Sequence, residues 1–303
     1  MLRYLFILLS GAAMLLAATV QAAPLNVRLL LSDRSPAYLQ FSMSLSKALA
    51  SERADVIVSE TGGGAQPDLI VAVGMKATEF AITNFTAPVL GAMIPKAGHD
   101  SLRERYAAQH RSRPLSAIYI EQPPERQLDF IRAALPGHRR LGLLYSPGAR
   151  INLQELQSGS VERGLSLVAL AVRSNETLFA SLDEILNQSD LLLAVPDSAV
   201  YNGSNVRNIL LTSYRHKVPL VGLSQAYLNA GALCAIFSTP EQIAEQTGTE
   251  ILLFARSRRL PEAQYPTSFD IGLNRQVARS LGIFLDTPET IRERMNKAME
   301  ERR

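Results

Sequence analysis

Short apolar runs alternate with longer amphipathic segments along most of this chain. The runs at 69–73 and 191–195 are apolar without interruption, which is typical of strands in a parallel sheet covered on both faces. Segments such as 36–50 instead place apolar residues near helical spacing. Because such strands and helices alternate, the pattern predicts βαβ units with right-handed crossovers and therefore an α/β fold.

The same pattern predicts two lobes rather than one sheet. The predicted strands occupy residues 26–32, 54–59, 68–73, 88–94, 115–120, 141–145, 166–171, 191–195, 219–223, 233–238 and 267–273. The predicted helices occupy residues 36–50, 76–84, 125–135, 153–163, 176–187, 205–216, 241–258, 275–281 and 288–302. One open sheet seldom holds so many strands. We therefore expect two doubly wound, Rossmann-like lobes, divided near residues 113–115, with a ligand cleft between them.

Residues 1–23 have the features of a secretory signal peptide. Arg3 supplies a positive charge, an apolar stretch follows, and Val20-Gln21-Ala22 predicts cleavage after Ala22 or Ala23. No second apolar run of membrane-spanning length follows. No cysteine stands at the cleavage point, so a lipoprotein anchor is not expected. The sequence thus predicts a released periplasmic protein, in a compartment where ATP and NAD are normally absent.

Composition narrows the classes of function further. The chain has 31 basic and 28 acidic residues, a mild excess that does not indicate nucleic-acid binding. Cys234 is the only cysteine and lies in an apolar run, which predicts a buried, inert thiol. The four histidines lack the spacing of metal ligands. We therefore expect neither a metal nor a cofactor.

Polar residues follow several of the predicted strands directly. Ligands of open α/β sheets bind beyond the carboxyl ends of the strands, where helix N-termini also point. Small, hydroxylated and acidic residues at these positions suit a cleft for a small polar molecule. The candidate ligand-binding residues are Ser32, Asp33, Gly74, Met75, Lys76, Ser146, Gly148, Asp197, Ser198, Ser224, Gln225 and Tyr227.

Two kinds of contact are expected within this set. Asp197 is the candidate partner of a ligand ammonium or hydroxyl group. Residues 74–76 and 146–148 are candidates for an anionic end such as a carboxylate, through helix N-termini. Capping of the following helix explains Asp197 and Ser198 at least as well as ligand contact does, and Tyr227 suits packing as well as stacking.

Two sequence motifs bear on catalysis. Gly62-Gly63-Gly64 lacks the spacing and the lysine of a phosphate loop, so it indicates a flexible connector. Residues 222–226, Gly-Leu-Ser-Gln-Ala, approach the nucleophile elbow of a serine hydrolase with Ser224 as nucleophile. In that fold the histidine follows the serine, whereas all four histidines here precede Ser224. The sequence therefore favours a protein that is not an enzyme.

A series of motifs near the end of the chain is informative as a group. In order, it comprises Asn229-Ala230-Gly231-Ala232-Leu233, a long helix at 244–253, Leu260-Pro261, Phe269-Asp270-Ile271-Gly272-Leu273-Asn274 and Val277-Ala278-Arg279-Ser280-Leu281-Gly282-Ile283. With this series, the chain from about residue 115 onward resembles the periplasmic substrate-binding components of ABC transporters, in the tryptophan/tyrosine-type family. Residues 68–74 resemble the strand that enters the cleft in that family.

The resemblance implies a type I periplasmic-binding fold. Such a fold has two lobes joined by three crossovers, expected here near Leu115, Ile236 and Pro266. Lobe 1 would then comprise residues 24–114 and 237–265, and lobe 2 residues 115–236 and 266–303. Closure of the lobes around a ligand is a hinge motion.

The resemblance also implies a function. It predicts the solute-binding component of an ABC import system, a monomer that binds a small polar metabolite, such as an amino acid, and delivers it to an inner-membrane permease. A periplasmic sensor that presents its closed form to a membrane receptor is an open alternative. An exported serine hydrolase that uses Ser224 is another.

Overall fold

A computed structural model describes residues 24–51, 56–59, 66–107 and 114–302 of the chain. The predicted signal peptide and the glycine connector at 62–64 lie outside the described residues. No helix in the described ranges is both long enough and apolar enough to cross a membrane.

The amino-terminal part of the chain forms a parallel five-stranded sheet in the order β2-β1-β3-β4-β5. Its strands are β1 (Leu25–Leu31), β2 (Val56–Ser59), β3 (Leu69–Val73), β4 (Val89–Ile94) and β5 (Leu115–Tyr119). The central strands β3 and β4 are buried along their whole length, as their uninterrupted apolar sequences predict.

The rest of the chain forms a six-stranded sheet in the order β11-β10-β9-β8-β6-β7. Its strands are β6 (Arg140–Tyr145), β7 (Ser166–Ala171), β8 (Leu191–Leu193), β9 (Leu220–Gly222), β10 (Cys234–Phe237) and β11 (Asp270–Leu273). All pairs are parallel except the one between β10 and β11.

Helices connect the strands and cover both sheets. They are α1 (Pro36–Ser51), α2 (Met75–Asn84), α3 (Lys96–Tyr106), α4 (Pro124–Ala134), α5 (Leu153–Glu162), α6 (Asn175–Gln188), α7 (Val206–Arg215), α8 (Gln225–Ala230), α9 (Pro240–Ser257), α10 (Arg275–Leu281) and α11 (Pro288–Glu300). The type of each predicted element agrees with the structure, and α3 and the short α8 are helices that the sequence pattern did not predict.

The structure corrects the predicted boundary between the lobes. Residues 115–119 form β5, which pairs with β4 at the edge of the first sheet, whereas the boundary after residue 114 placed them in lobe 2. The chain therefore leaves lobe 1 after Tyr119. Apolar periodicity predicts the strand at 115–120, but only strand pairing shows to which sheet that strand belongs.

Lobe 1 is completed by a helix from much later in the chain. Ile243, Ile251 and Phe254 of α9 are buried in one hydrophobic cluster with β1, β3 and α1. The backbone after α9 then runs beside β5, with the Gln264 amide donating to Ala117 and the Tyr119 amide donating to Gln264. A helix that begins just after β10 therefore belongs to the first lobe, while β10 itself belongs to the second sheet.

Hydrogen bonds tie the three crossovers together. The buried Gln122 side chain donates to Ser238 Oγ at 2.8 Å, and Ser238 donates to the Ser268 carbonyl. Arg126 donates to both Gln122 Oε1 and the Pro266 carbonyl at 2.7 Å. The crossings thus lie at 120–123, 238–239 and 266–268, and they form one polar hinge between the lobes.

Candidate functional site

The carboxyl edge of the first sheet brings β1 and β3 together at the start of α2. Ser32 follows β1, and its hydroxyl accepts a hydrogen bond from the Ala77 amide at 2.9 Å, so it caps α2 from a neighbouring strand. Gly74 is the N-cap of this helix, with φ 83°. A Cβ on Gly74 would lie against the Tyr38 hydroxyl and 2.6 Å from Ser32 Oγ. Glycine is required here for its backbone conformation and for this close approach.

The first two amides of α2 belong to Met75 and Lys76. Amides at these helix positions have no acceptor within the helix and can hydrogen-bond an anion. Lys76 is exposed and lies close enough to Asp33 to contribute to lowering the pKa of that carboxyl. The largest cause of the lowered pKa is a hydrogen bond from the Ser35 side chain, followed by the Ser35 amide, which donates to Asp33 Oδ1 at 2.8 Å. Asp33 is therefore an exposed carboxylate that stabilises its own turn.

Sequence reasoning missed Glu121, which follows β5 at the same sheet edge. Its Oε1 accepts the Lys96 amide at 2.7 Å, while its Oε2 is buried and has no hydrogen-bond partner among the described residues. Burial raises the pKa of this carboxyl. A buried carboxylate oxygen without a partner is costly unless a donor arrives from elsewhere. A signal was present in the sequence, since a glutamate directly follows a strand.

Met75 packs the start of α2 against α3 and the ends of β4 and β5. The Met75 side chain lies against Gly98 in α3, where a Cβ would approach its Sδ to 2.5 Å. Met75 also packs against the cluster that contains Ile94 and Tyr119. The edge of lobe 1 is therefore continuous from Ser32 to Glu121. It offers helix amides and Lys76 towards one end, and towards the other a carboxylate of which one oxygen has no partner in the described ranges.

In lobe 2 the structure gives Asp197 a different environment from the one predicted. Asp197 is 6 % exposed, and its carboxylate accepts the amides of Ser146 and of Ala199, the latter at 3.0 Å. Both carboxylate oxygens thus accept backbone amides. One of these hydrogen bonds connects the loop after β8 with the end of β6. The next helix, α7, begins at Val206 with Asn205 as N-cap, so neither Asp197 nor Ser198 caps it.

Ser146 and Gly148 lie in a turn rather than at a helix N-terminus. The Ala149 amide donates to the Ser146 carbonyl at 2.9 Å, and α5 begins only at Leu153. Asn152 is the N-cap there and accepts the Glu155 amide at 3.1 Å. The prediction of a helix dipole at 146–148 is therefore wrong, because Pro147-Gly148 forms a turn before the helix can begin.

Of the candidate residues after β9, Ser224 and Gln225 lie at the start of α8, whereas Tyr227 is packed against the sheet. Ser224 is the N-cap of α8, and its hydroxyl makes no capping hydrogen bond. Gln225 is exposed and donates to Asn229 of the same helix. Tyr227 packs over Gly222, where a Cβ would clash with it, and burial raises its pKa to about 12. Burial raises the pKa of Tyr201, to which Tyr227 and Asp197 add, and its hydroxyl donates to the Leu193 carbonyl of β8.

The structure therefore groups the predicted residues by lobe. Ser32, Asp33, Gly74, Met75 and Lys76 share the edge of lobe 1, and Ser146, Asp197 and Tyr227 share that of lobe 2. No group of three or more histidine, cysteine or acidic side chains in the described ranges could hold a metal ion. His99 contacts Asp100 and Tyr119, and His216 pairs with Asp183, so neither is placed to activate Ser224.

Comparison with known proteins decides the family. The family profile described as "ABC transporter substrate binding protein" matches residues 43–297. The chain belongs to this family. Among curated proteins, none matches it in sequence.

Solved structures agree with the fold of this substrate-binding protein. A conserved domain protein from Vibrio cholerae has 19 % identity and a TM-score of 0.62, with 89 % of this chain and 98 % of that chain covered. An ABC domain from Streptococcus pneumonia in complex with L-Trp has 18 % identity and a TM-score of 0.61, covering 88 % and 98 %. The ligand-free, open form of a Clostridium difficile substrate-binding protein has 14 % identity and a TM-score of 0.65, covering 88 % and 97 %. The fold is that of type I periplasmic binding proteins.

Proposed function

We propose that this substrate-binding protein is exported to the periplasm, captures a small polar metabolite between its lobes and delivers it to an ABC permease of the inner membrane. The two carboxyl sheet edges, joined by one polar hinge, support this role. The family and the features of residues 1–23 support export and import. In this proposal the protein acts as a monomer without a cofactor.

The chemistry of lobe 1 favours a solute that carries both an ammonium and an anionic group. The unpaired Oε2 of Glu121 suits an ammonium or another cationic donor. The amides at the start of α2, together with Lys76, suit a carboxylate. An amino acid has both groups, and a related fold has been solved with L-Trp. Glu121 replaces Asp197 as our candidate for the ammonium, because both oxygens of Asp197 already accept backbone amides.

A thermal-shift screen of amino acids, peptides, nucleosides and oxyanions tests the proposal. A solute at 100 times its Kd should stabilise the protein by about 2.7 kcal/mol. If no small solute raises the Tm, capture of a free metabolite is ruled out. The alternative of a sensor predicts binding of the same solutes, and neighbouring genes distinguish it: a sensor kinase or cyclase rather than a permease and an ATPase.

Substitution of Glu121 tests the assignment of the ammonium. Glu121→Gln keeps the acceptor for the Lys96 amide and removes the charge. We expect affinity for an ammonium-bearing solute to fall about tenfold or more. The exposed Glu125→Gln in α4 is the matched control and should retain affinity. Equal affinity in wild type and Glu121→Gln would remove Glu121 from the site.

A further inference from the structure

A second cavity lies at the opposite edge of lobe 1. It has a volume of about 610 Å³ and lies among α3, the C-terminal end of α9 and the first residues of β4 and β5. We call it the outer cavity. Because parallel strands begin at this edge and end at the cleft, the end of the outer cavity at Leu115 is separated from the proposed solute site by the length of β5, roughly 15 Å, while its inner end reaches His99.

Apolar side chains form one part of the wall of the outer cavity, and polar and charged side chains form the rest. The apolar part includes Ile82, Leu102, Tyr106, Leu115, Phe254 and Leu260. Its volume falls within the range of about 300–1,000 Å³ that is usual for small-molecule sites. Buried His99 also lines the cavity, and burial lowers its pKa, so this side chain adds no positive charge at neutral pH. The apolar part of the wall therefore suits the apolar body of a ligand.

Arginines surround this apolar surface. Arg103, Arg258 and Arg259 all line the cavity, and Glu262 is the one acidic residue among its described lining residues. Arg258 pairs with Asp68 at 3.2 Å. In the described part of the chain, Arg103 and Arg259 have no carboxylate within ion-pair distance. Two exposed guanidinium groups are therefore available to an anion, and arginine is well suited to bind phosphate or carboxylate.

The wall that carries two of these arginines is fixed in place. The Arg258 amide donates to the Phe254 carbonyl at 2.8 Å and ends α9. A few residues later, the Gln264 amide donates to Ala117 of β5 at 2.8 Å. The segment between these points is anchored at both ends, so Arg258 and Arg259 are held at the mouth of the cavity rather than on a free tail.

We propose that the outer cavity binds a small amphipathic anion, a phosphate or carboxylate on a short apolar body, through Arg103 and Arg259. Two sources share this chemistry: a free amphiphile and the headgroup region of an anionic lipid. The site is separate from solute capture and does not depend on it.

Isothermal titration of the full chain with octyl phosphate tests the proposal. We expect saturable binding, about tenfold weaker in Arg103→Gln and in Arg259→Gln. Arg279→Gln, which removes an exposed arginine from α10, should bind as the wild type does. The uncharged probe octanol should not bind. Hydrogen exchange with octyl phosphate present should slow in residues 99–106 and 254–263.

Three results would overturn the proposal. They are failure of the wild type to bind octyl phosphate, an equal loss of binding in Arg279→Gln, and protection at the start of α2 instead of at α3. Flotation with phosphatidylglycerol vesicles then separates the two sources. Flotation that depends on Arg103 and Arg259 assigns the site to lipid, whereas octyl phosphate binding without flotation assigns it to a free amphiphile.

Discussion

Individual buried polar residues show why similar sequence positions have different roles. Asp197 and Glu121 are both acidic residues that follow a buried strand. Asp197 accepts two backbone amides, whereas Glu121 accepts one and leaves a buried oxygen without a partner among the described residues. The number of donors within reach decides which carboxylate stabilises the fold and which is available to a ligand, and that number depends on neighbouring strands.

Substituting Asp197 with alanine should destabilise the protein. Two amides would lose a buried acceptor, which corresponds to about 2 kcal/mol of unfolding free energy. Urea denaturation without any solute measures this effect. Asp33→Ala, which removes an exposed carboxylate from a similar turn, should change stability far less. If Asp197→Ala weakened solute binding at unchanged stability, its main role would be ligand contact after all.

Glu121→Gln should have the opposite effect on stability. Because the folded-state pKa of Glu121 is raised, its ionised form costs stability at pH values above its unfolded pKa. Removing the charge should therefore leave the free energy of unfolding at pH 7 unchanged or higher, and should reduce its decline between acid and neutral pH. Urea denaturation across this pH range measures both effects. A clear loss of stability at pH 7 would instead indicate a structural role.

The N-terminal caps of α9 and α2 differ in how far apart their residues lie in the sequence. Thr239 and Gln242 form a capping box at the start of α9, and both partners lie within four residues of each other. At α2 the cap is assembled from distant residues, since Gly74 supplies the backbone turn and Ser32 supplies the hydroxyl. The sequence near each helix therefore indicates where these two helices begin, but it does not show that Ser32 completes the cap of α2.

Gly74→Ala should be more costly than Gly282→Ala. Both glycines have positive φ, 83° and 68°, but only Gly74 has side chains within contact distance. Gly282 has the left-handed helical conformation, where strain in alanine costs about 1–2 kcal/mol, whereas Gly74, with ψ 166°, has a conformation that essentially only glycine adopts. Overpacking against Tyr38 and Ser32 adds about 1–3 kcal/mol at Gly74. Thermal or urea denaturation of the two variants measures the difference. Equal losses would show that the contacts around Gly74 are loose.

On the scale of the whole molecule, an ion pair connects the two lobes away from the hinge. Arg150, in the loop after β6, forms two hydrogen bonds with Glu104 of α3, at 2.6 and 2.8 Å. The Arg150 guanidinium lowers the pKa of Glu104. Since the side chains are 46 % and 65 % exposed, this pair is screened by solvent and biases lobe closure only weakly.

Glu104→Gln should shift the lobes towards a more open arrangement by a few-fold at most. Small-angle scattering of the solute-free protein at low salt measures the shift, and high salt should make the wild type resemble the variant because the pair is then screened. Glu79→Gln breaks a similar pair with Arg105 inside lobe 1 and serves as the control. The same shift in Glu79→Gln would show that the interlobe pair has no special role.

The sequence by itself determined the α/β class and the order of most elements, because apolar periodicity depends on neighbouring residues, and its motifs carry the resemblance that implies the type I fold and the family. It also predicted the strand-end residues that line both sheet edges. Only the tertiary structure decided that β5 belongs to lobe 1, that Asp197 accepts two backbone amides and that one oxygen of Glu121 has no partner among the described residues. Each of these depends on hydrogen bonds between distant segments, such as Ser146 with Asp197, 51 residues apart, and Lys96 with Glu121, 25 residues apart. The pattern of residues along the chain does not specify such pairings, because they form only when the strands pair in the folded sheet.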